Sequence, residues 1–144
     1  MAVVGPGDAS PEQEAQAEEV GRLLARRGAV VVCGGLGGVM EAACRGARGE
    51  GGTAVGILPG VDRAAANPHV SVAVATGLGE ARNALVVRAA DALIAVGGAY
   101  GTLSEIALAL KARKPVIGLG TWEIDGVQPA DGPEAAVESA LTLT

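Results

Sequence analysis

Short, continuously apolar runs alternate along the chain with longer segments in which apolar residues recur every three or four positions. "AVVG" (2–5), "AVVVC" (29–33), "TAVGILPG" (53–60), "SVAVA" (71–75), "DALIAVGG" (91–98) and "PVIGLG" (115–120) read as strands. Their brevity and content of β-branched residues set them apart from buried helix. The segment after the first strand carries a complete helix start: Ser10 as N-cap, Pro11 at the first helical position and Gln13 closing a capping box. Val20, Leu23, Leu24 and Arg27 fall on one side of that helix, and Gly28 ends it. Further helices are expected over 38–49, 79–90, 100–114 and 132–142, with 61–70 as an irregular connection.

Strands that are apolar along their whole length belong to a parallel sheet covered on both faces. The expectation is an α/β fold: one domain over 1–144, a doubly wound, Rossmann-like parallel sheet of six to seven strands with helices on both faces. A strand order such as 3-2-1-4-5-6 fits that class, and its ligands sit outside the carboxyl ends of the strands. Those ends are marked by Gly5-Pro6-Gly7, Gly34-Gly35, Pro59-Gly60, Gly77 and Gly97-Gly98, whereas the opposite connections, "ARRGA" and "KARKP", are charged. The asymmetry puts function on the carboxyl edge.

Composition narrows the choice. With 49% hydrophobic residues, 23 glycines, no Phe, and Tyr100 and Trp122 as the only aromatics, the core of this 144-residue chain is built of Ala, Val, Leu and Ile. A net charge of −5 argues against an extended nucleic-acid surface but leaves room for a small anion held by local dipoles. Cys33 and Cys44 lack CxxC spacing and read as reduced core residues, and a single His, His69, offers no metal site. No basic leader pattern or long uninterrupted apolar run is visible, so a cytoplasmic location and no membrane partner are expected.

Familiar nucleotide motifs fail in turn. A Walker A loop needs GxxxxGK[ST], but the lysines are Lys111 and Lys114 only. The dinucleotide fingerprint lacks its third glycine in "GPGDAS", and strand two ends in Cys33-Gly34 with no acid to hold a ribose. A pyridoxal lysine decarboxylase needs a Schiff-base lysine in the cleft, and both lysines fall at the opposite end of the sheet. What remains is two glycine-rich loops feeding helix N-termini, "CGGLGGVME" and "VGGAYGTLSE". Backbone N–H groups and the helix dipole make such termini phosphate sites. Gly5, Gly34, Gly35, Gly38, Met40, Pro59, Gly97, Gly98, Gly101 and Thr102 are the candidate phosphate or nucleotide contacts, with Thr102 capping the helix or donating its hydroxyl. Arg82, at a helix start, and Glu105, expected on the first turn of its helix, meet in one cleft if strands four and five are neighbours. A lone carboxylate facing an arginine can orient a ribose and stabilise positive charge at its anomeric carbon.

Here the sequence resembles a known family. "GLGEARNALVVRAADALIAVGGAYGTLSE" is similar to the segment of the Lonely Guy proteins that joins an arginine motif to PGGxGTxxE, and "GGLGGVMEAACRGARGEGGTAVGILPG" resembles their earlier glycine loop. The family's motif Arg falls on Arg82 and its Glu on Glu105, while Gly98, Gly101 and Thr102 match the phosphate loop. The resemblance implies a phosphoribohydrolase that releases a free base and ribose 5-phosphate from a nucleoside 5′-monophosphate, usually as a homodimer; a homodimer or higher homo-oligomer with no cofactor is expected. Gly97 replaces the family's Pro, Ala99 its second motif glycine, and Asn83, a further candidate contact, the lysine after the arginine. These departures resemble the sister branch of small "possible lysine decarboxylase-like" Rossmann proteins and molybdenum-cofactor carriers. That branch implies the alternative, a non-catalytic binding or carrier protein for a nucleotide or molybdopterin-type phosphate cofactor.

Overall fold

The computed structural model describes residues 1–144. Along the chain run β1 (Ala2–Val4), α1 (Pro11–Arg26), β2 (Val31–Cys33), α2 (Val39–Gly49), β3 (Ala54–Leu58), β4 (Val72–Ala75), α3 (Asn83–Arg88), β5 (Leu93–Val96), α4 (Tyr100–Lys111), β6 (Val116–Leu119), β7 (Val127–Pro129) and α5 (Pro133–Thr142). Short 3-10 turns at Arg63–Ala65 and Gly79–Arg82 fill two connections. The seven strands form one sheet in the order β4-β3-β2-β1-β5-β6-β7, and every pairing is parallel. This is the expected doubly wound α/β sheet. No helix is long and apolar enough to cross a membrane.

Alternation along the strands sorts the core into two layers. Val3, Val31, Cys33, Ile94, Val96 and Ile117 point to the face covered by α1, α2 and α5, where they meet Val20, Leu24, Val39 and Val137. Ala2, Val4, Val32, Leu93, Ala95 and Val116 point the other way, onto Val86 and Val87 of α3 and Ile106 and Ala109 of α4. The capping box at Ser10 and Gln13 forms as the sequence predicts. Both cysteines are free and buried, with their sulfurs 3.4 Å apart, and the contact with the Cys44 thiol together with burial holds the Cys33 thiol well above its ordinary range.

Three expectations are corrected. The order 3-2-1-4-5-6 does not hold: β4 pairs with β3 at the far edge, away from β5. The 61–70 connection, with only a 3-10 turn, carries the chain back to the start of the sheet and sets β4 parallel beside its predecessor. That edge has no covering helix, and Val72 and Val74 stay about half exposed. The helix expected over 79–90 divides into the Gly79–Arg82 turn and the short α3. The helix expected over 100–114 ends at Lys111, and the Lys114 ammonium donates to the carbonyls of Val87, Arg88 and Ala90 at the end of α3.

α1 and α2 cross at two glycines. A Cβ on Gly21 would lie 2.0 Å from the Ala43 carbonyl oxygen, and one on Gly46 would lie 1.9 Å from that of Glu18. Both contacts are to backbone, which cannot swing aside. Alanine is the better helix former by about 1 kcal/mol, but overpacking of a close contact costs about 1–3 kcal/mol. Gly46→Ala is therefore expected to lower the unfolding free energy measured in urea; an increase would show that the helices separate freely.

Candidate functional site

The carboxyl ends of β2 and β3 converge on Arg82. The residue is 9% exposed, and each nitrogen of its guanidinium is engaged: Nε donates to the Ile57 carbonyl at 2.8 Å, Nη2 to the Gly34 carbonyl at 3.4 Å, and Nη1 to Asn83 Oδ1. Asn83, 7% exposed, passes the connection on: its Nδ2 donates to Ser104 Oγ at 3.1 Å, whose hydroxyl donates to the Gly101 carbonyl at 2.7 Å. One relay thus runs from the ends of β2 and β3 to the first turn of α4. Arg82 reaches this position because the 76–82 segment crosses back over the sheet end; β4 and β5 are not neighbours.

α4 begins at Tyr100 behind an extended Ala99, with no side-chain cap. The N–H groups of Gly98, Ala99, Tyr100, Gly101 and Thr102 donate to no acceptor in the chain, which leaves a helix terminus with its donors free. Thr102, expected to cap, lies inside the first turn: it is 2% exposed and its hydroxyl is buried without a hydrogen-bond partner. Such a group is costly in an apolar setting. Glu105 stands in the second turn, not the first, because the helix starts at Tyr100. It is 7% exposed, and burial pushes its carboxyl up to about 7 although the Arg82 charge pulls it down. A cleft of about 670 Å³ opens between the Arg82 turn and the start of α4, lined by Glu80, Arg82, Asn83, Tyr100, Gly101 and Ser104.

The glycine positions divide by what a Cβ would meet. Gly101 faces open space. Gly34 lies against the Arg82 guanidinium and the Met40 sulfur, at 2.6 and 2.8 Å. Gly35 and Gly38 have φ of +77° and +63° and abut, respectively, Leu58 with the Gly56 backbone and the carbonyls of Pro6 and Gly7. Gly5 is pressed between the Val96 carbonyl and Val39. Gly97, at φ +65°, would strike the Gln13 amide. Packing accounts for Gly5, Gly35 and Gly38. Met40 is partly buried against the core, and the Pro59 carbonyl accepts from Gly79 N–H, which starts the Arg82 turn.

Ser104 and Asn67 are the contributors that sequence reasoning missed or set aside. Ser104 lies three residues after Gly101, the spacing at which a helical hydroxyl reaches back to a carbonyl. Asn67, in the 61–70 connection, donates to the carbonyls of Gly35 and Leu36 and holds the first glycine loop down. His69 serves only through its N–H, which donates to Asn67.

The sequence profile of the SLOG cluster4 family matches residues 1–141. The chain belongs to that family. Among solved structures, this SLOG cluster4 protein is similar to the molybdenum cofactor binding protein from the phototrophic bacterium Rippkaea orientalis, with 38% identity and a TM-score of 0.93 over 98% of this chain and 94% of that one. It is also similar to the molybdenum cofactor carrier protein from Chlamydomonas reinhardtii, at 35% identity and a TM-score of 0.90 over 99% and 96% of the two chains. A probable cytokinin riboside 5′-monophosphate phosphoribohydrolase from Oryza sativa subsp. japonica is 36% identical over 104 residues, which are 70% of this chain and 42% of that protein. The chain therefore lies in the Lonely Guy-like group, on the branch near the molybdenum-cofactor carriers.

The buried carboxyl makes stability depend on pH. Glu105 keeps its proton in the folded protein up to about pH 7, whereas in the unfolded chain it releases it near its ordinary value of 4.5. Its contribution is fully present below that ordinary value and is lost as pH rises through the folded value, about 3 kcal/mol in all at 1.4 kcal/mol per unit. The difference between wild-type and Glu105→Gln unfolding free energies should thus fall with pH between 4.5 and 7 and flatten above. Parallel profiles would place the carboxyl in water.

Proposed function

We propose that the chain is a binding or carrier protein for a small phosphorylated ligand of the nucleotide or molybdopterin type. Arg82 carries this reading. Its guanidinium is committed to Ile57, Gly34 and Asn83, so it acts as the anchor of a preformed cradle and not as a group free to follow charge in a reaction. The phosphate sits on the free N–H groups of Gly98–Thr102, and the Thr102 hydroxyl gains the partner it lacks. Gly101, with open space on its Cβ side, admits the close approach. Gly34, Gly97 and Asn83 shape the rim. Molybdopterin-type cofactors are cargo here: the phosphate cradle and the adjacent cleft of about 670 Å³ suit their phosphate and fused ring. Likeness to the molybdenum cofactor binding and carrier proteins across nearly the whole chain supports the same reading.

A phosphoribohydrolase is the second reading. It is favoured by the rice relative and by Glu105 lying within the field of Arg82. In it, Glu105 orients the ribose and stabilises the oxocarbenium-like state while Arg82 fixes the substrate. We further propose a homodimer in the cytoplasm; Val61, Val72, Val74 and Leu78, left exposed around the β4 edge, supply apolar surface for a second copy.

Thr102→Val separates ligand binding from folding. Removing an unpartnered hydroxyl leaves the free protein as stable or about 1 kcal/mol more stable, while affinity for inorganic phosphate, measured by calorimetry, drops about tenfold. Unchanged affinity would rule out the cradle. Mass spectrometry of the purified chain should find a bound phosphorylated heterocycle, and AMP should release no adenine; adenine release abolished by Glu105→Gln would establish the hydrolase instead. Light scattering should give twice the monomer mass.

A further inference from the structure

The only Tyr and the only Trp of the chain, 22 positions apart in sequence, stack on one another, with ring centroids 6.2 Å apart and planes at 25°. In a protein with no Phe, these are the largest apolar rings available to the core, yet neither is used there. Tyr100 is 83% exposed and Trp122 is partly so. Their placement is determined by the phosphate loop. The Trp122 indole N–H donates to the Ala99 carbonyl at 3.2 Å, and a Cβ on Gly98 would lie 2.8 Å from Nε1. The ring therefore seats directly on the loop, and any side chain at position 98 would have to displace it.

Behind Trp122 opens a cavity of about 410 Å³, lined among others by Gly118, Thr121, Glu123, Asp125 and Ala130. The Thr121 hydroxyl is buried with no hydrogen-bond partner, the second such orphan in the chain besides Thr102. Glu123 and Asp125 are exposed at the rim. Two carboxylates repel a second anionic group and accept from N–H donors. Aromatic faces, by contrast, stack on flat rings of any sequence or substitution. A flat aromatic face, an unpartnered hydroxyl and acceptor-rich edges together suit a planar ring that carries hydrogen-bond donors and disfavour a further phosphate.

We propose that the Tyr100–Trp122 pair and this cavity form a subsite for a planar, nitrogen-rich heterocycle with N–H donors, the chemistry shared by purine and pterin rings. The subsite rests on the reading that the Gly98–Thr102 loop holds the phosphate of the same ligand. The ring stacks on the aromatic pair, its edge donors meet Glu123 or Asp125, and Thr121 pairs with a ring nitrogen or carbonyl. Gly98 thus serves both halves of the ligand, freeing N–H groups on one side and seating the indole on the other.

Because Trp122 is the only tryptophan, its fluorescence reports this subsite alone. The full chain is titrated with GMP, a pterin monophosphate and ribose 5-phosphate. At least one of the two ring-bearing ligands should quench Trp122 and bind about tenfold more tightly than ribose 5-phosphate, and whichever binds better identifies the ring class. By calorimetry, Trp122→Leu should bring that ligand down to the affinity of ribose 5-phosphate without changing the latter, and Trp122→Phe should restore most of the difference. Thr121→Val, which adds no bulk, should weaken the ring-bearing ligand only. Equal affinity of all three ligands for the wild type, or equal losses for all three in Trp122→Leu, would overturn the subsite. Guanosine and the unphosphorylated pterin form a separate arm: quenching by either, with no binding of ribose 5-phosphate, keeps the ring subsite and overturns the phosphate cradle.

Discussion

The buried guanidinium of Arg82 is the constraint on which the carboxyl edge depends. A cation this desolvated persists only where oxygens surround it. The structure supplies them from the carbonyls that parallel strands leave pointing outward at their ends: Ile57 closing β3 and Gly34 following β2. Asn83 adds a side-chain oxygen and spends its amide on Ser104, which in turn fixes the carbonyl of Gly101. A Cβ at position 34 would lie 2.6 Å from Nη2, so any side chain there would displace the guanidinium or the Met40 thioether. The start of α4, and with it the row of free N–H groups, is therefore held in register with the sheet by one side chain.

On the proposed reading, that arrangement also explains how an acidic chain would hold an anion. The net charge of −5 acts at long range and is screened by salt, whereas the donors of residues 98–102 act within hydrogen-bond distance and are aligned with a helix axis. Nothing neutralises Glu105 except Arg82 at a distance and its own proton. A carboxyl pushed up to about 7 by burial carries less negative charge near neutrality than a fully ionised one, which would oppose an anion at the proposed cradle.

Much of this was legible in particular residues. The capping box at Ser10 and Gln13 is local and forms as written, and so do the strands, whose burial on both faces demands unbroken apolar runs. Arg82 and Glu105 were recognisable because a charge against a helix dipole and a lone acid in an apolar helix both need reasons. The glycines were less legible. Gly5, Gly35, Gly38 and Gly101 look alike in sequence, yet three are dictated by close packing or positive φ and only Gly101 faces open space. Ser104 escaped notice because a serine in a helix carries no signal until its partner is known.

The sequence by itself determined the class of fold, the edge of the sheet that carries the site, and the loop whose helix offers free donors, because each follows from periodicity or backbone chemistry within a short segment. Tertiary structure alone decided the order of the strands, which depends on where the 61–70 connection returns the chain. It also decided the turn on which Glu105 stands, since that depends on where the chain leaves β5 extended as far as Ala99. The meeting of Tyr100 with Trp122 was likewise beyond the sequence. Two lone aromatics 22 positions apart carry no pattern, and only the parallel register of β5 and β6 brings the loops that follow them side by side.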